Sequence, residues 1–375
     1  MSLLGESQQM LGDMVGRYLA DNHDFEARQA SLSEEGWPST LWSAFADELG
    51  IIGLPFSEAQ GGLGLGPLDI MVVMEALGRG LAAEPFLSTV VGFGGLVNAL
   101  GTRPALSPLV ADVIGGEARV ALVLTDAQGA AGPGDRTLTR DGGAWTLKGG
   151  AAIVPAAAEA THVAISARTD AGAVALIILA KNAGGLSWSE LPLIDGSKAA
   201  QLEIDARLDE AAIVTMDGAD AIQAAHDAVL AALCAEITGI IAALIDITVD
   251  FATQRAQFGK PIAKFQVIQH RMADMYVEGE LTRSMALLAA LKLDAATAET
   301  HAAVTACKAR AGKAGRMVGQ NAIQIHGGIG TTDELIVGHY YKRLLTIEAL
   351  YGSADSHIKD YAEQRAALGY PIAVV

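Results

Sequence analysis

The spacing of hydrophobic positions divides the chain into three parts with different predicted secondary structure. In residues 1–118, apolar side chains recur every three or four positions, which is the pattern of amphipathic helices. In residues 119–215, the apolar runs are short, rich in β-branched residues and separated by Gly, Asp and Asn, as expected of strands joined by turns. Residues 216–375 return to the helical spacing. The pattern predicts an α+β protein with a helical N-terminal domain, a central antiparallel β-barrel and a C-terminal four-helix bundle.

The limits of the predicted elements follow from the same pattern. Five strands are predicted in the middle part, over residues 120–125, 145–148, 162–166, 174–179 and 200–204. Four long helices are predicted in the last part, over residues 220–254, 264–293, 297–324 and 333–368. These helices are much longer than the globular average, which is typical of helical bundles.

Composition and charge narrow the class of protein. Hydrophobic residues make up 51% of the 375 residues and charged residues only 18%, which supplies a large core and argues against disorder. The formal net charge is −17. Nucleic acid and anionic membrane surfaces are therefore not predicted partners, because binding to phosphates needs a basic surface. An anionic ligand would need a local basic patch.

Several other kinds of site are not expected. Cys234 and Cys307 lie in Ala-rich helical stretches and are predicted to be buried, reduced thiols. His326, His339 and His357 contain no i,i+4 pair, so no metal site is predicted. The N-terminus lacks the basic start of a signal peptide, and no run of about twenty uncharged apolar residues suggests a membrane span. A cytoplasmic protein is expected.

The first motif with chemical meaning begins at Arg255, where a predicted helix ends. The segment reads Arg-Ala-Gln-Phe-Gly-Lys-Pro-Ile, and Pro261 prevents the helix from continuing. The planar, permanently charged guanidinium of Arg255 suits bidentate contact with a pyrophosphate. The alternative is a surface salt bridge at a helix end.

The second motif is Gln-Ile-His-Gly-Gly-Ile-Gly, which begins at Gln324. The adjacent residues Gly327 and Gly328 follow a long predicted helix. Two glycines permit a sharp turn and let a ligand approach bare backbone. The alternative is a simple helix stop.

Together with Phe265 and Gln266, these two motifs resemble those of the acyl-CoA dehydrogenase family. The order of helical, β and helical parts agrees with the family. The resemblance implies an FAD cofactor, an acyl-CoA substrate and an electron-transferring flavoprotein as electron acceptor. It also implies a homo- or hetero-tetramer in which the pyrophosphate contacts reach the flavin of a neighbouring subunit. The residues implied to bind FAD are Thr125, Arg255, Phe258, Gln266, Gln324, Gly327, Gly328 and Ser353.

The middle part departs from the family pattern at the flavin ring. Family members carry Thr-Glu-Pro followed by a serine, whereas this chain reads Thr125-Asp-Ala and has Ala131 near the expected serine. A family Trp-x-Thr is replaced by Ile-Val-Pro beginning at Ile153. Thr125 keeps its hydroxyl, but an aromatic wall and a second hydroxyl donor are missing.

A further departure concerns the catalytic base. Desaturation removes a proton α to the thioester carbonyl, and the family uses a glutamate just before a Gly-Thr or Gly-Ser pair. Tyr351 stands at that position here. The other position used in the family, about 26 residues before the motif arginine, is occupied by Val229. Glu236 and Glu348 are the remaining candidates, with a buried ion pair and a surface acid as the respective alternatives.

Two hypotheses for the function therefore stay open. In the first, the chain is itself an FAD-dependent acyl-CoA dehydrogenase with an acid such as Glu236 as base. In the second, it is a non-catalytic subunit that clamps FAD for a separate catalytic chain. The segment Ile347–Asp355 resembles the small subunits of two-subunit bacterial enzymes of the pimeloyl-CoA dehydrogenase type. The visible spectrum of the chain purified alone would separate the two hypotheses.

Overall fold

A computed structural model of the protein describes residues 4–33, 40–141 and 143–370. The chain forms two compact units. The helical unit contains Met1–Ala30, Pro67–Ala82 and Leu230–Val375, and the sheet unit contains Ser31–Gly66 and Ala83–Val229. The limits at 118/119 and 215/216 that the sequence suggests for three domains stay a prediction.

The described residues contain eleven α-helices. They are α1 Glu6–Asn22, α2 Phe25–Ser33, α3 Thr40–Asp47, α4 Pro67–Arg79, α5 Gly94–Leu100, α6 Ser107–Ile114, α7 Ala219–Gln254, α8 Gln266–Ala295, α9 Thr300–His326, α10 Ile336–Ala349 and α11 Ala354–Ala367. A π-helix over Leu87–Phe93 precedes α5.

The described residues also contain ten strands. They are β1 Val120–Val123, β2 Thr137–Asp141, β3 Ala144–Pro155, β4 His162–Thr169, β5 Val174–Ala180, β6 Leu186–Pro192, β7 Lys198–Leu208, β8 Ile213–Thr215, β9 Ala256–Gln257 and β10 Lys260–Pro261. Each of the five predicted strands overlaps one of these. The prediction missed β2, β6, β8 and the two-residue strands β9 and β10. Strand β6 is largely exposed and carries no apolar run.

The predicted antiparallel β-barrel is wrong, because the central strands form an open mixed sheet. Its order is β6-β7-β3-β2-β4-β5-β8, and within the described part of the chain the end strands β6 and β8 are not paired with each other. Strands β1 and β2 both pair in parallel with β4, β1 along His162–Ile165 and β2 along Arg168–Thr169. Alternation along a strand shows which face is buried, as in β7, but does not show which strand lies beside it.

The last part of the chain contains five long helices among the described residues instead of four. The predicted fourth helix is split into α10 and α11 by the turn Leu350–Ser353. Tyr351 and Gly352 have φ angles of +58° and +98°, which an α-helix cannot accommodate. Ser353 then caps α11 by accepting a hydrogen bond from the Ser356 amide at 3.2 Å.

The sequence suggested no membrane-spanning segment, yet helix α7 has the length and apolar composition of one. It is the one helix among the described residues that is long and apolar enough to cross a bilayer. However, 83% of its most apolar 18-residue window is buried inside the protein. Burial of this kind is what the core helix of a water-soluble bundle shows, so length and composition alone are weak evidence for a span.

Helices α4 and α7 cross with their backbones in contact inside the helical unit. A Cβ atom added to Gly239 would lie 1.9 Å from the Glu75 carbonyl oxygen. One added to Gly78 would lie 2.2 Å from the Glu236 carbonyl oxygen. Because both close atoms belong to backbone, neither can move aside without displacing a helix.

We expect Gly239→Ala to lower the free energy of unfolding by about 1–3 kcal/mol, the usual effect of overpacking a core. Gly16→Ala on α1 is the matched control, since no described atom lies within 4 Å of its added Cβ. The control should be neutral or stabilising, by up to about 1 kcal/mol, because Ala favours helix over Gly. Urea denaturation measures both variants. An unchanged midpoint for Gly239→Ala would contradict the close crossing.

Glu84 is a buried carboxyl group in the sheet unit, just before the π-helix. Its Oε2 atom and that of Glu159 are buried and have no hydrogen-bond partner among the described residues. Burial raises the pKa of Glu84 to about 8, the neighbouring Glu159 raises it further, and Arg119 opposes both effects. Glu84 therefore keeps its proton in the folded protein at neutral pH.

This pKa predicts a loss of stability as pH rises. Between the ordinary pKa of 4.5 and about 8, the unfolded chain releases the Glu84 proton while the folded chain retains it. The free energy of unfolding therefore falls as pH increases through that window. Glu84→Gln stays neutral in both states and should reduce the fall. Melting temperatures at pH 5 and pH 8.5 test this, and the same fall in both proteins would show that Glu84 is not responsible.

Candidate cofactor site

The Arg255 motif forms a short hairpin after helix α7. Strands β9 and β10 pair antiparallel, and the Ile262 amide donates to the Arg255 carbonyl at 2.8 Å. Phe258 and Gly259 at the tip have φ angles of +49° and +78°, as in a type I′ turn. Arg255 is exposed and Phe258 is 91% exposed. The hairpin therefore presents an arginine and a phenyl ring at its surface.

Helix α8 starts directly after this hairpin, with Gln266 as its first residue. Gln266 is exposed, and its helix is 30 residues long. The first turn of a helix carries amide groups without intrahelical partners and a partial positive charge, which suits an anion. Phe265 packs edge-on against Phe258 with ring centroids 6.2 Å apart, which braces the hairpin against the helix start.

The glycine motif lies at the end of helix α9. The helix ends at His326, and Gly327 follows with a φ of +67°. Gln324, Gly327 and Gly328 are exposed. No described atom lies within 4 Å of a Cβ added to either glycine, so a ligand can approach their backbone directly.

Packing inside the helical unit connects these two segments. The Phe251 ring near the end of α7 stacks on His326 at the end of α9, with centroids 4.3 Å apart. Arg271 of α8 donates to the Asn321 carboxamide oxygen of α9 at 2.6 Å. Burial lowers the pKa of His326, so the stacked imidazole is neutral. The ends of α7 and α9 are thereby adjacent.

The exposed groups of these segments fit the pyrophosphate and adenine end of FAD. Arg255 supplies a bidentate cationic donor, and the Gln266 and Gln324 carboxamides supply neutral donors and acceptors. The exposed backbone at Gly327 and Gly328 leaves space for a phosphate or a ring. The role of these residues as FAD contacts stays a prediction, and their exposed positions leave them accessible to a ligand.

Thr125 lies in the sheet unit, at the start of a loop that ends near Ala131. The two residues form an isolated β-bridge. The buried Arg136 guanidinium donates to the carbonyls of Thr125 and Gly132, both at 2.9 Å, and so holds both ends of the loop. His226 contacts the Gly129 carbonyl at 2.9 Å in the middle. The loop is rigid, but the methyl side chain of Ala131 provides no hydroxyl for a flavin ring.

Neither position used for the base in the family carries a carboxylate. Tyr351 has a left-handed backbone, and burial raises the pKa of its phenol to about 12. It is therefore neutral at physiological pH and cannot accept a proton as a base. Val229 is buried, and its Cγ2 atom lies 3.1 Å from a Cβ added to Gly92. This second position is closed by apolar packing.

Both acidic candidates are engaged by arginines within the helical unit. The buried Glu236 carboxylate accepts from Arg343 Nε at 2.6 Å and from Arg343 Nη2 at 3.1 Å. The partly buried Arg343 is thus the arginine partner that the sequence offers as the alternative to catalysis. Glu348 accepts two hydrogen bonds from Arg316, one of them from Nε at 3.1 Å. In the folded chain each carboxylate is therefore occupied by a guanidinium.

Ser353 and Glu348 line a surface groove of about 360 Å³ in the helical unit. The groove lies between one face of α9 and the start of α11. Its lining residues are Lys313, Arg316, Met317, Gln320, Glu348, Ser353, Ala354 and Asp355. Ser353 uses its hydroxyl oxygen to cap α11, and that oxygen has a second lone pair for a ligand.

Sequence reasoning missed three buried anchors that support these segments, namely Arg136, Lys308 and His357. Each contacts one or more backbone carbonyls of a turn or loop. Lys308 stands in an Ala- and Gly-rich helix with several exposed cations, so no local signal distinguishes it. Only the fold shows that this cation is 1% exposed.

Two family profiles and several known proteins are similar to this chain. A family profile described as "Acyl-CoA dehydrogenase, N-terminal domain" matches residues 5–115, and one described as "Acyl-CoA dehydrogenase, C-terminal domain" matches residues 217–366. Acyl-CoA dehydrogenase IpdE2 of Mycobacterium tuberculosis is 28% identical over 340 residues, covering 90% of this chain and 91% of its own.

Two solved structures also share the fold. One is the ChsE4-ChsE5 complex from Mycobacterium tuberculosis, with a TM-score of 0.90, 25% identity and coverage of 99% of this chain and 100% of that chain. The other is a variant of the Tcur3481-Tcur3483 steroid ACAD, with a TM-score of 0.89 and 27% identity. It covers 97% of this chain and 99% of its own.

Proposed function

The chain belongs to the acyl-CoA dehydrogenase family, and we propose that it is the FAD-clamping subunit of a two-chain acyl-CoA dehydrogenase whose base comes from the partner chain. The observation that carries the proposal is Tyr351, a neutral phenol at the position of the family's glutamate. The segments around Arg255 and Gly327 that would clamp FAD are exposed, whereas neither family position for the base carries a carboxylate. Both solved relatives named above are described by pairs of chains.

In this proposal the chain binds and orients the cofactor. Arg255 holds the pyrophosphate, and Gln266, Gln324 and the exposed backbone of Gly327 and Gly328 border the adenine end. Bound FAD would supply the hydride acceptor for oxidation at the substrate β-carbon. The α-proton passes to a carboxylate that this chain does not provide at either family position.

Three further parts of the proposal follow from the family. The substrate is an acyl-CoA thioester, and the electrons pass from the flavin to an electron-transferring flavoprotein. The protein acts in the cytoplasm, in accord with a net charge of −17 and with the burial of its most apolar helix.

One observation favours the competing assignment, in which this chain is catalytic by itself. The Glu348 carboxylate lines the same groove as Ser353, three residues before Tyr351. Arg316, its partner, has a side chain that is 52% exposed, so this ion pair can open at little cost in free energy. Glu348 is then the acid that could replace the missing glutamate.

The test is the visible spectrum of the chain purified alone and after co-expression with candidate partner chains. The proposal expects a colourless isolated chain that acquires a flavin spectrum only in the complex. A yellow isolated chain that bleaches anaerobically with an acyl-CoA would support the competing assignment. Titration with a panel of acyl-CoAs then identifies the substrate.

We also expect the complex to be a tetramer or a dimer of dimers. Phe258 at the hairpin tip is 91% exposed, and Val277, Leu281 and Leu288 on α8 are 54%, 47% and 43% exposed. Exposed apolar groups of this size and spacing are typical of surfaces that bind another subunit. Light scattering at micromolar concentration measures the mass, and a monomer would contradict the expectation.

A further inference from the structure

The turn between α10 and α11 is held by buried side chains at every carbonyl from residue 350 to 352. Lys308 Nζ of α9 donates to the carbonyl oxygens of Leu350 and Gly352, at 3.1 and 3.2 Å. His357 Nε2 of α11 contacts the carbonyl oxygen of Tyr351 at 2.9 Å. Two side chains from different helices therefore bind three consecutive carbonyls.

Lys308 also closes the end of helix α10. Its Nζ lies 3.0 Å from the Ile347 carbonyl oxygen and 3.4 Å from that of Glu348. The carbonyl end of a helix carries a partial negative charge, so an ammonium group there is favourable. A buried ammonium without such partners would be strongly unfavourable. The four carbonyls therefore explain how this lysine is retained in the core.

The backbone at Tyr351 needs such support. Its φ of +58° is an unfavourable conformation for a residue with a side chain, unlike that of the neighbouring Gly352. Strained residues persist only where the surrounding structure determines their conformation, and they concentrate at functional sites. Tyr351 stands at the position of the family's base, and Ser353 is a predicted cofactor contact.

We propose that Lys308, assisted by His357, is a positioning residue that fixes the left-handed turn carrying position 351 and Ser353. The role of this turn in a cofactor site depends on the proposed function. The positioning itself rests only on the hydrogen bonds within the helical unit. The turn is held through its backbone carbonyls, so its support does not depend on which side chain stands at residue 351.

The charge of Lys308 allows an experiment to distinguish a residue that positions the turn from one that only fills the core. Burial lowers the pKa of Lys308 to about 8, so it is protonated at pH 7 and loses its proton on moderate alkalinisation. The groups that face it are the Cys234 thiol on α7 and Glu348 on α10, and both favour the charged form. His357 on α11 binds the same turn. A neutral amine has only two hydrogens for the four carbonyls.

The experiment is amide hydrogen exchange by mass spectrometry on the full chain, comparing a peptide over residues 346–357 with one over residues 230–245 of α7. Lys308→Met keeps most of the length of the side chain and removes the charge. We expect exchange in the 346–357 peptide to accelerate at least about tenfold, with little change in the α7 peptide. Lys359→Met is the control, since the Lys359 side chain is 80% exposed. It should change neither peptide.

A second measurement on the unmodified chain avoids any folding defect of the variant. Exchange rates corrected for their intrinsic pH dependence are compared between pH 7 and pH 9.5. Protection of the 346–357 peptide should fall as Lys308 loses its proton, while the α7 peptide stays protected. Parallel protection of both peptides over this range, or an equal loss in both for Lys308→Met, would overturn the proposal. Neither measurement needs flavin or substrate, so such a failure would leave the proposed function untouched.

Discussion

The isolated chain is expected to oxidise acyl-CoA at least about 100-fold more slowly than the complex with its partner chain, since a positioned base contributes about 10²–10⁴-fold to rate. Tyr351 remains neutral and Val229 is apolar, so neither family position can take the α-proton. Glu236 lies about 10 Å further along α7 than Val229, from a rise of about 1.5 Å per residue. Both of its carboxylate oxygens are also occupied by Arg343.

The assay compares the isolated chain, the complex, and Glu236→Gln and Glu348→Gln variants of each. Turnover of the complex should survive Glu348→Gln, because the acid belongs to the partner chain. Glu236→Gln removes the charge partner of the partly buried Arg343, so it is expected to lower stability by about 3–5 kcal/mol. Its turnover is therefore measured on protein that is shown to be folded. Vigorous turnover by the isolated chain would defeat the prediction. If Glu348→Gln then abolished it with FAD still bound, Glu348 would be the base.

Arg255→Ala is expected to weaken the retention of FAD by the complex by about 10- to 150-fold, with little effect on the binding of acyl-CoA. Losing a charge-assisted hydrogen-bonded contact typically weakens binding by about 1.5–3 kcal/mol. Arg255 is exposed at the base of the hairpin, so its removal should leave the melting temperature of the apoprotein unchanged. Flavin remaining after dialysis is measured by absorbance.

Two further variants test whether the loss of flavin is specific to the guanidinium of Arg255. Arg255→Lys keeps the charge but loses the planar fork, and it should fall between the wild type and Arg255→Ala. Arg17→Ala on α1 removes an exposed arginine elsewhere in the same unit and should leave flavin retention unchanged. Full flavin occupancy in Arg255→Ala would remove Arg255 from the site.

Local sequence features were sufficient to predict those elements whose limits are set by residues only a few positions apart. Helix α7 was predicted over residues 220–254 and is observed over Ala219–Gln254, because apolar spacing and Pro261 determine where it runs and ends. The hairpin turn at Phe258-Gly259 and the turn at Gly327 are similarly local, since left-handed backbone favours glycine.

Local sequence features did not predict how the strands of the sheet are paired. Five strands were located from their apolar runs, yet the closed barrel was wrong. Pairing of β1 and β2 with the same edge of β4 joins residues about 30–40 positions apart in the chain. An alternating pattern determines which side of a strand is buried, whereas its neighbours are selected by the packing of the whole layer.

By itself the sequence determined the order of helical and β parts, the family and the absence of a glutamate at residue 351. These depend on residue type and on short spacing. Only the tertiary structure decided that Glu236 is bound by Arg343, 107 positions away, and that Lys308 holds the turn at Tyr351. A buried charge is stable only with its partners, and residues so distant in sequence meet only when the core forms.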